Sequence, residues 1–285
     1  MKRVGLVAKP DAVEAKRVVL TLLDWLGARG LSVVLEKETA GLAAGTAVAS
    51  ASKSDLPAQV DAVIVLGGDG TLLSMARAIG DLGVPILGIN LGGLGFLTAT
   101  TLDELLPAME ALLAGAMAVE ERMMLSARLV RGSQTIGEYV ALNDVVITKS
   151  AMSRIIDLAV SVGGRHATSY RADGLIISTP TGSTAYNLST GGPILFPTMD
   201  AVVLTPIAPH TLSNRPIVLP GGERIDVTLR ADQEVMLTMD GQVGVPLRER
   251  DRVEVGKARA RIRLLRFDQR DFFSVLRTKL KWGER

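Results

Sequence analysis

Residues Ala62, Val63, Ile64, Val65 and Leu66 form an unbroken apolar run that passes directly into Gly67-Gly68-Asp69-Gly70-Thr71. A strand with one wet face would alternate polar and apolar residues. Five apolar residues in a row therefore predict a strand covered on both faces, the situation of an interior strand in a parallel sheet. Similar short apolar runs at 4–8, 31–35 and 84–89 are separated by segments of helical spacing. In one of these, Val18, Leu22 and Leu26 recur with Val19 and Leu23 beside them, and Asp11 stands where it could cap the helix. Residues 72–79 are helical in composition. Leu102, Leu105, Leu106, Met109, Leu112 and Leu113 keep one helix face, with Thr101 and Glu104 at capping-box spacing. This alternation predicts an α/β domain with a parallel sheet and helices on its faces.

From about residue 123 the pattern changes to short alternating or apolar runs broken by Gly, Pro, Asn and Asp: 126–130, 145–148, 155–162, 175–178, 225–229 and 235–239. These predict an all-β, antiparallel, sandwich-like second domain. Arg259, Arg261 and Arg263 alternate with apolar residues, which reads as a strand with one wet face rather than a nucleic-acid patch. Phe272, Phe273, Leu276 and Leu280 return to helical spacing. The expected organisation is an α/β N-terminal domain over 1–99, completed by a C-terminal helix within 268–285 that packs back on it. An all-β C-terminal domain over 100–267 completes the fold. The chain has no cysteine, which excludes disulfides, thiolate metal sites and a Cys nucleophile. The N-terminal apolar run is too short for a signal peptide, and no apolar stretch reaches membrane-spanning length. A cytoplasmic protein with no membrane and no nucleic-acid partner is expected.

A Gly-Gly-Asp-Gly-Thr turn at the C-terminal end of a buried parallel strand sits where open α/β sheets bind ligands. Glycines allow close backbone approach, and the following helix aims its free N–H groups at the turn, which suits phosphate. Gly67, Gly68 and Thr71 are candidate donor-phosphate residues. Asp69 is the odd member, since a carboxylate repels phosphate. It has a chemical task, taking a proton from an attacking hydroxyl or engaging Mg²⁺, or it is only a helix cap. Neither a Walker-type Gly-x-x-x-x-Gly-Lys-Ser/Thr nor a Gly-x-Gly-x-x-Gly after the first strand is present. A second concentration runs from Tyr170 to Pro193, dense in Thr, Ser and Gly, whose small donors and acceptors suit ribose and phosphate oxygens. Asn143-Asp144, Arg154 and the hairpin-turn candidate Asp240-Gly241-Gln242 are each, taken alone, ordinary turn or surface residues. His166 and His210 have no metal-spaced partner.

Taken together, Gly67-Gly-Asp-Gly-Thr71, Asn90-x-Gly-x-Leu-Gly-Phe96, Asn143-Asp144, and Asp173-Gly followed by Thr181-Gly-Ser-Thr-Ala-Tyr186 resemble the NAD kinases of bacteria, in order and spacing, over nearly the whole chain. The first block is shared with lipid kinases and 6-phosphofructokinases; the Thr-Gly-Ser-Thr-Ala-Tyr block is far more specific. The resemblance implies phosphorylation of the adenosine ribose 2′-hydroxyl of NAD to give NADP. ATP or polyphosphate would be the donor, Mg²⁺ would be carried with ATP rather than held in a protein metal site, and the enzyme would be a homodimer or homotetramer. It implies Asp69 as general base. Nucleotide contacts would fall on Asp69, Gly70, Asn143, Asp144, Arg154, Arg171, Asp173, Thr184, Ala185, Tyr186, Asn187, Leu188, Ser189, Ala208 and Gln242. One position departs: Ser74 stands where many relatives carry a basic or larger residue, which leaves Arg77, one turn later, as the expected positive substitute. The competing readings are a lipid or sugar kinase sharing the first turn, and a non-catalytic NAD(P) sensor.

Overall fold

The computed structural model describes residues 1–150, 152–211, 213–267 and 271–282. It divides into two compact units: Met1–Glu121 with Ile262–Arg285, and Arg122–Arg261. In the first unit β1 (Arg3–Ala8), α1 (Ala15–Gly27), β2 (Ser32–Glu36), the one-turn α2 (Lys37–Ala40), β3 (Ala49–Ala51), β4 (Ala62–Leu66), α3 (Asp69–Ile79), β5 (Ile86–Ile89) and α4 (Leu105–Leu113) follow in sequence. The strands lie in the order β5-β4-β1-β2-β3, every pair parallel. All five residues of β4 are buried, as its unbroken apolar run requires.

Helix α1 buries Ala15, Val18, Val19, Leu22 and Leu26. They pack in one cluster with Val4, Leu6, Leu35 and Ile64 of the sheet, each large side chain contributing about 1.5–3 kcal/mol. Leu105, Ala108, Met109 and Leu112 of α4 join that same cluster. The first unit therefore runs through Glu121, not to the expected boundary at residue 99, because an amphipathic face does not itself reveal which sheet it covers. Two expected caps also differ. Glu14, not Asp11, is the N-cap of α1 and makes no side-chain cap bond. Glu104 accepts from Thr101 N–H at 2.8 Å, half of a capping box, but the Thr101 hydroxyl donates to the same carboxylate and α4 starts only at Leu105.

The chain continues through β6 (Ala118–Arg131), β7 (Gln134–Ala141), β8 (Asp144–Lys149), β9 (Ile156–Val162), β10 (Arg165–Ala172), β11 (Gly174–Ser178), the one-turn α5 (Tyr186–Ser189), β12 (Ala201–Ile207), β13 (Ile217–Pro220), β14 (Ile225–Leu229), β15 (Val235–Met239), β16 (Val243–Leu247) and β17 (Arg252–Arg266). In the second unit one antiparallel sheet has the order β13-β12-β11-β8-β15-β16 and the other the order β10-β9-β14-β17. Leu158, Val160, Tyr170, Val227 and Val253 from the second sheet share one core with Val145, Ile147, Leu175, Ile177 and Leu237 from the first. That is the expected sandwich.

Along β17, Ala258, Ala260, Ile262 and Leu264 are buried while Arg259, Arg261 and Arg263 are exposed, one wet face as the alternation predicts. Its last five residues belong to the first unit, where Leu264 and Leu265 pair in parallel with Ile86 and Leu87 of β5. The final helix α6 (Phe272–Leu280) lies in the first unit, as expected, and Asp271 caps it by accepting from Ser274 N–H at 2.6 Å. Within the expected 268–285 segment, 268–270 and 283–285 lie outside the described residues. No described helix is long and apolar enough to cross a membrane.

Candidate functional site

Strands β4 and β5 end side by side and release the two glycine-rich turns together. Gly68 is the N-cap of α3 and Asp69 its first residue, so the helix starts three residues earlier than the composition of 72–79 suggests. Asp69 does not cap that helix through its side chain. Its carboxylate instead reaches the second turn. Oδ2 accepts from Phe96 N–H at 2.9 Å, and Oδ1 accepts from Leu97 N–H, Thr98 N–H and the Thr98 hydroxyl, each at 3.0 Å. Asn90 Nδ2 donates to Thr98 Oγ1 at 2.8 Å and Asn90 Oδ1 accepts from Gly92 N–H, which fixes the hydroxyl that faces Asp69. The carbonyls of the same turn are held from the other side. Arg266 donates to Leu97 O at 3.3 Å and to the Glu120 carboxylate at 2.7 Å. Gly95 is required by close approach, since a Cβ there would overlap Asp69 Oδ1 and Thr98 Oγ1 and lie 2.9 Å from the Asp69 carboxyl carbon.

Asp69 is half-buried at the edge of a cavity of about 520 Å³ walled by Gly67, Gly68, Gly92, Gly93 and Gly95. A second cavity of about 320 Å³ takes in Gly68, Gly70 and Thr71. The expected phosphate residues Gly67, Gly68 and Thr71 thus do face open space. Arg77, the expected substitute for a basic residue at Ser74, lines neither cavity. The lining cations are Lys9 and Lys279 in the first and Lys9 and Lys53 in the second. Sequence motifs gave no signal for them, because they come from the end of β1, the 52–56 segment and α6.

In the second unit the expected nucleotide residues fall into two groups at opposite ends of β11. At one end stand Asn143, Asp144, the 240–242 hairpin turn and the hydroxyl-rich block. Asp240 and Gly241 have φ of 52° and 62° and Gln242 N–H bonds Met239 O, a turn with left-handed residues at both central positions. The Asp240 carboxylate accepts from Leu142 N–H at 3.2 Å, Asn143 N–H at 2.7 Å and Asp144 N–H at 3.3 Å. Gly182 packs against Asn143, where a Cβ would lie 2.7 Å from Asn143 Cα. At the other end, Asp173 N–H bonds Ile207 O beside Ala208, and Arg171 O accepts from His210 N–H. Lys149 Nζ joins Ser153 O at 3.0 Å to the Asp173 carboxylate at 3.7 Å, next to exposed Arg154. Ala208 is held at φ 43°, a left-handed conformation that costs an alanine about 1 kcal/mol. Five residues of strand separate the two groups by roughly 17 Å.

The hydroxyl-rich block is not an open polar loop. Residues Gly182–Thr184 form a 3₁₀ turn that leads into α5. Much of its polar inventory is used internally: Thr179 Oγ1 donates to Leu142 O, Ser183 Oγ donates to Pro180 O and accepts from Leu195 N–H. Asn187, fully buried, donates to Ser183 O and Pro193 O and accepts from Thr205 Oγ1. Thr184, Ala185, Tyr186, Leu188 and Ser189 keep exposed surface; the Asn187 side chain ties the block together.

Burial, with the neighbouring Asp240 carboxylate second, pushes the Asp144 carboxyl up to about 7 from its ordinary 3.8. A raised folded-state value means that this group's contribution to stability is complete below pH 4 and declines as pH rises to about 7. The full difference is on the order of 4 kcal/mol. Asp144→Asn should therefore flatten the fall in melting temperature between pH 5 and pH 7.5. Parallel melting curves for the two proteins across that range would contradict this assignment.

The profile described as the ATP-NAD kinase N-terminal domain matches residues 4–117, and that of the ATP-NAD kinase C-terminal domain matches residues 142–267. The chain belongs to the NAD kinase family. NAD kinases of Geotalea daltonii and Geobacter sulfurreducens are each 50% identical to it over 286 residues, covering the whole of both chains. Among solved structures, yeast NADH kinase complexed with NADH superposes with a TM-score of 0.91 over all of this chain and 89% of that one, at 24% identity, a likeness of fold. The NAD kinase of Archaeoglobus fulgidus in complex with ATP gives a TM-score of 0.78 at 25% identity over 98% of each chain. The profile boundary at residue 117 agrees with placing α4 in the first unit.

Proposed function

We propose that this chain transfers the terminal phosphoryl group of ATP, or of polyphosphate, to the 2′-hydroxyl of the adenosine ribose of NAD, giving NADP. The observation that carries the chemistry is the Asp69 carboxylate, held by three amides and a hydroxyl at the edge of a glycine-walled cavity. Phosphoryl transfer asks little covalent work of the protein and much positioning. In this reading Asp69 accepts the proton of the 2′-hydroxyl as it attacks. Gly67, Gly68 and Thr71 border the donor phosphates. Among the described residues no three His, Asp or Glu side chains gather as a metal site. Magnesium enters this reading as part of the donor, chelated by its phosphates.

The acceptor contacts follow the family pattern: Gly70, Asn143, Asp144, Arg154, Arg171, Asp173, Thr184, Ala185, Tyr186, Asn187, Leu188, Ser189, Ala208 and Gln242. Their separation into two groups along β11 supports an elongated, two-nucleotide ligand over a mononucleotide. Asn187 acts through its backbone and its internal ties. The enzyme is proposed to work in the cytoplasm as a homodimer or homotetramer, and light scattering on the eluting protein would give the mass of one chain if the oligomer is wrong.

Incubating the purified protein with NAD, magnesium and either ATP or polyphosphate, and detecting NADP with an NADP-specific dehydrogenase, tests the reading. NADP should form with at least one donor. Its absence with both would reject it.

A further inference from the structure

The cavity beside Asp69 brings together two cations from opposite ends of the chain. Lys9 closes β1 at one wall, and Lys279 on α6 stands at another, its ammonium 5.9 Å from the centroid of the Phe96 ring. Phe96 is the residue whose N–H holds Asp69 Oδ2. Neither lysine makes an ion pair among the described residues. Three carboxylates also line this cavity: Asp11, Glu14, which is paired with Arg17, and Asp69, whose Oδ1 accepts three bonds from the 96–98 turn.

The remaining walls are glycine backbone, which permits close approach by a bulky anion. Lys9 also lines the smaller cavity on the far side of Gly68, with Lys53. A compact, rotatable ammonium suits a chain of phosphates as a point charge and needs no fixed fork geometry. The helix position that lacks a basic residue here, Ser74, and Arg77 after it, face neither cavity.

We infer that Lys9 and Lys279 together bind the phosphoanhydride chain of the donor, so that the C-terminal helix supplies a substrate residue as well as packing. Lys279 reaches the phosphates from directly above the turn that orients Asp69, and Lys9 holds them from the strand side of Gly67. The recognised chemistry is a run of linked phosphates, common to ATP and inorganic polyphosphate.

This inference rests on the phosphoryl-transfer reading, and the test separates the two. Wild type, Lys9→Ala, Lys279→Ala, Lys279→Arg and the surface control Lys16→Ala are titrated calorimetrically with inorganic tripolyphosphate in magnesium, without NAD. They are then assayed with ATP and with polyphosphate as donors. Each alanine variant should bind tripolyphosphate about 10-fold to 100-fold more weakly, the range for one charge-assisted contact. The donor KM should rise in parallel while the NAD KM stays within about twofold, and Lys279→Arg should recover most of the loss. If the effect appears with only one donor, that donor is the one these lysines serve. Unchanged tripolyphosphate binding in both alanine variants, or equal rises in both KM values, would overturn the inference while NADP formation by wild type leaves the kinase reading standing. Failure of wild type to make NADP would overturn the kinase reading instead.

Discussion

Asp69→Asn is expected to lower kcat roughly 10²-fold to 10⁴-fold, the range for removing a general base, while NAD still binds. The substitution also has a structural side. The ionised carboxylate accepts from four donors. An amide presents two N–H groups of its own, so at least one of the Phe96, Leu97 and Thr98 amides would face a donor. Leaving a buried donor without an acceptor costs about 1–3 kcal/mol, and the melting temperature should fall by several degrees. Thr98→Val separates the two effects. It removes one of the four donors and breaks the Asn90–Thr98 link but leaves the charge at Asp69. It should cost a comparable amount of stability and far less turnover. Equal losses of turnover in the two variants would mean that Asp69 only braces the turn.

Gly95→Ala is expected to lower kcat by about 10²-fold by displacing the Asp69 carboxylate. The added methyl would overlap the Asp69 and Thr98 oxygens, so either the turn or the carboxylate must shift. A displacement of about 1 Å of a catalytic group is enough for such a loss, and overpacking of this kind typically costs 1–3 kcal/mol of stability. Gly27→Ala, at the end of α1 with nothing within 4 Å of the new methyl, is the matched control and should behave as wild type. An active Gly95→Ala enzyme would show that the contact between the two glycine-rich turns is not needed for turnover.

The parallel sheet was legible because β4 could be nothing but a doubly covered strand, and the sandwich because β14 and β15 alternate cleanly between the two faces. The domain boundary was not. Helix α4 advertises an apolar face, and only three dimensions show that the face joins the core of the first unit. Likewise, the spacing of Asp69 to Phe96 marks two turns but not the bonds between them. The carboxylate read as an oddity among phosphate ligands proves to be the clamp that holds one turn against the other. Asp240 plays a similar part for 142–144, and its place in a hairpin turn concealed this, since an Asp-Gly pair there needs no further explanation. The hydroxyls around Ser183 look available in sequence because composition does not count the partners a folded backbone supplies. Lys9 and Lys279 are 270 positions apart, beyond any motif, and meet only because β17 carries the chain back into the first unit.

In the proposed reaction this fold phosphorylates one ribose hydroxyl of NAD through Asp69. The most direct test is ³¹P NMR of the nucleotide product formed from NAD and the magnesium complex of ATP by wild type and by Asp69→Asn. Wild type should give a phosphomonoester on the adenosine 2′-oxygen, and the variant almost none at equal protein. A phosphoryl group on any other oxygen, or equal product from both proteins, would contradict it.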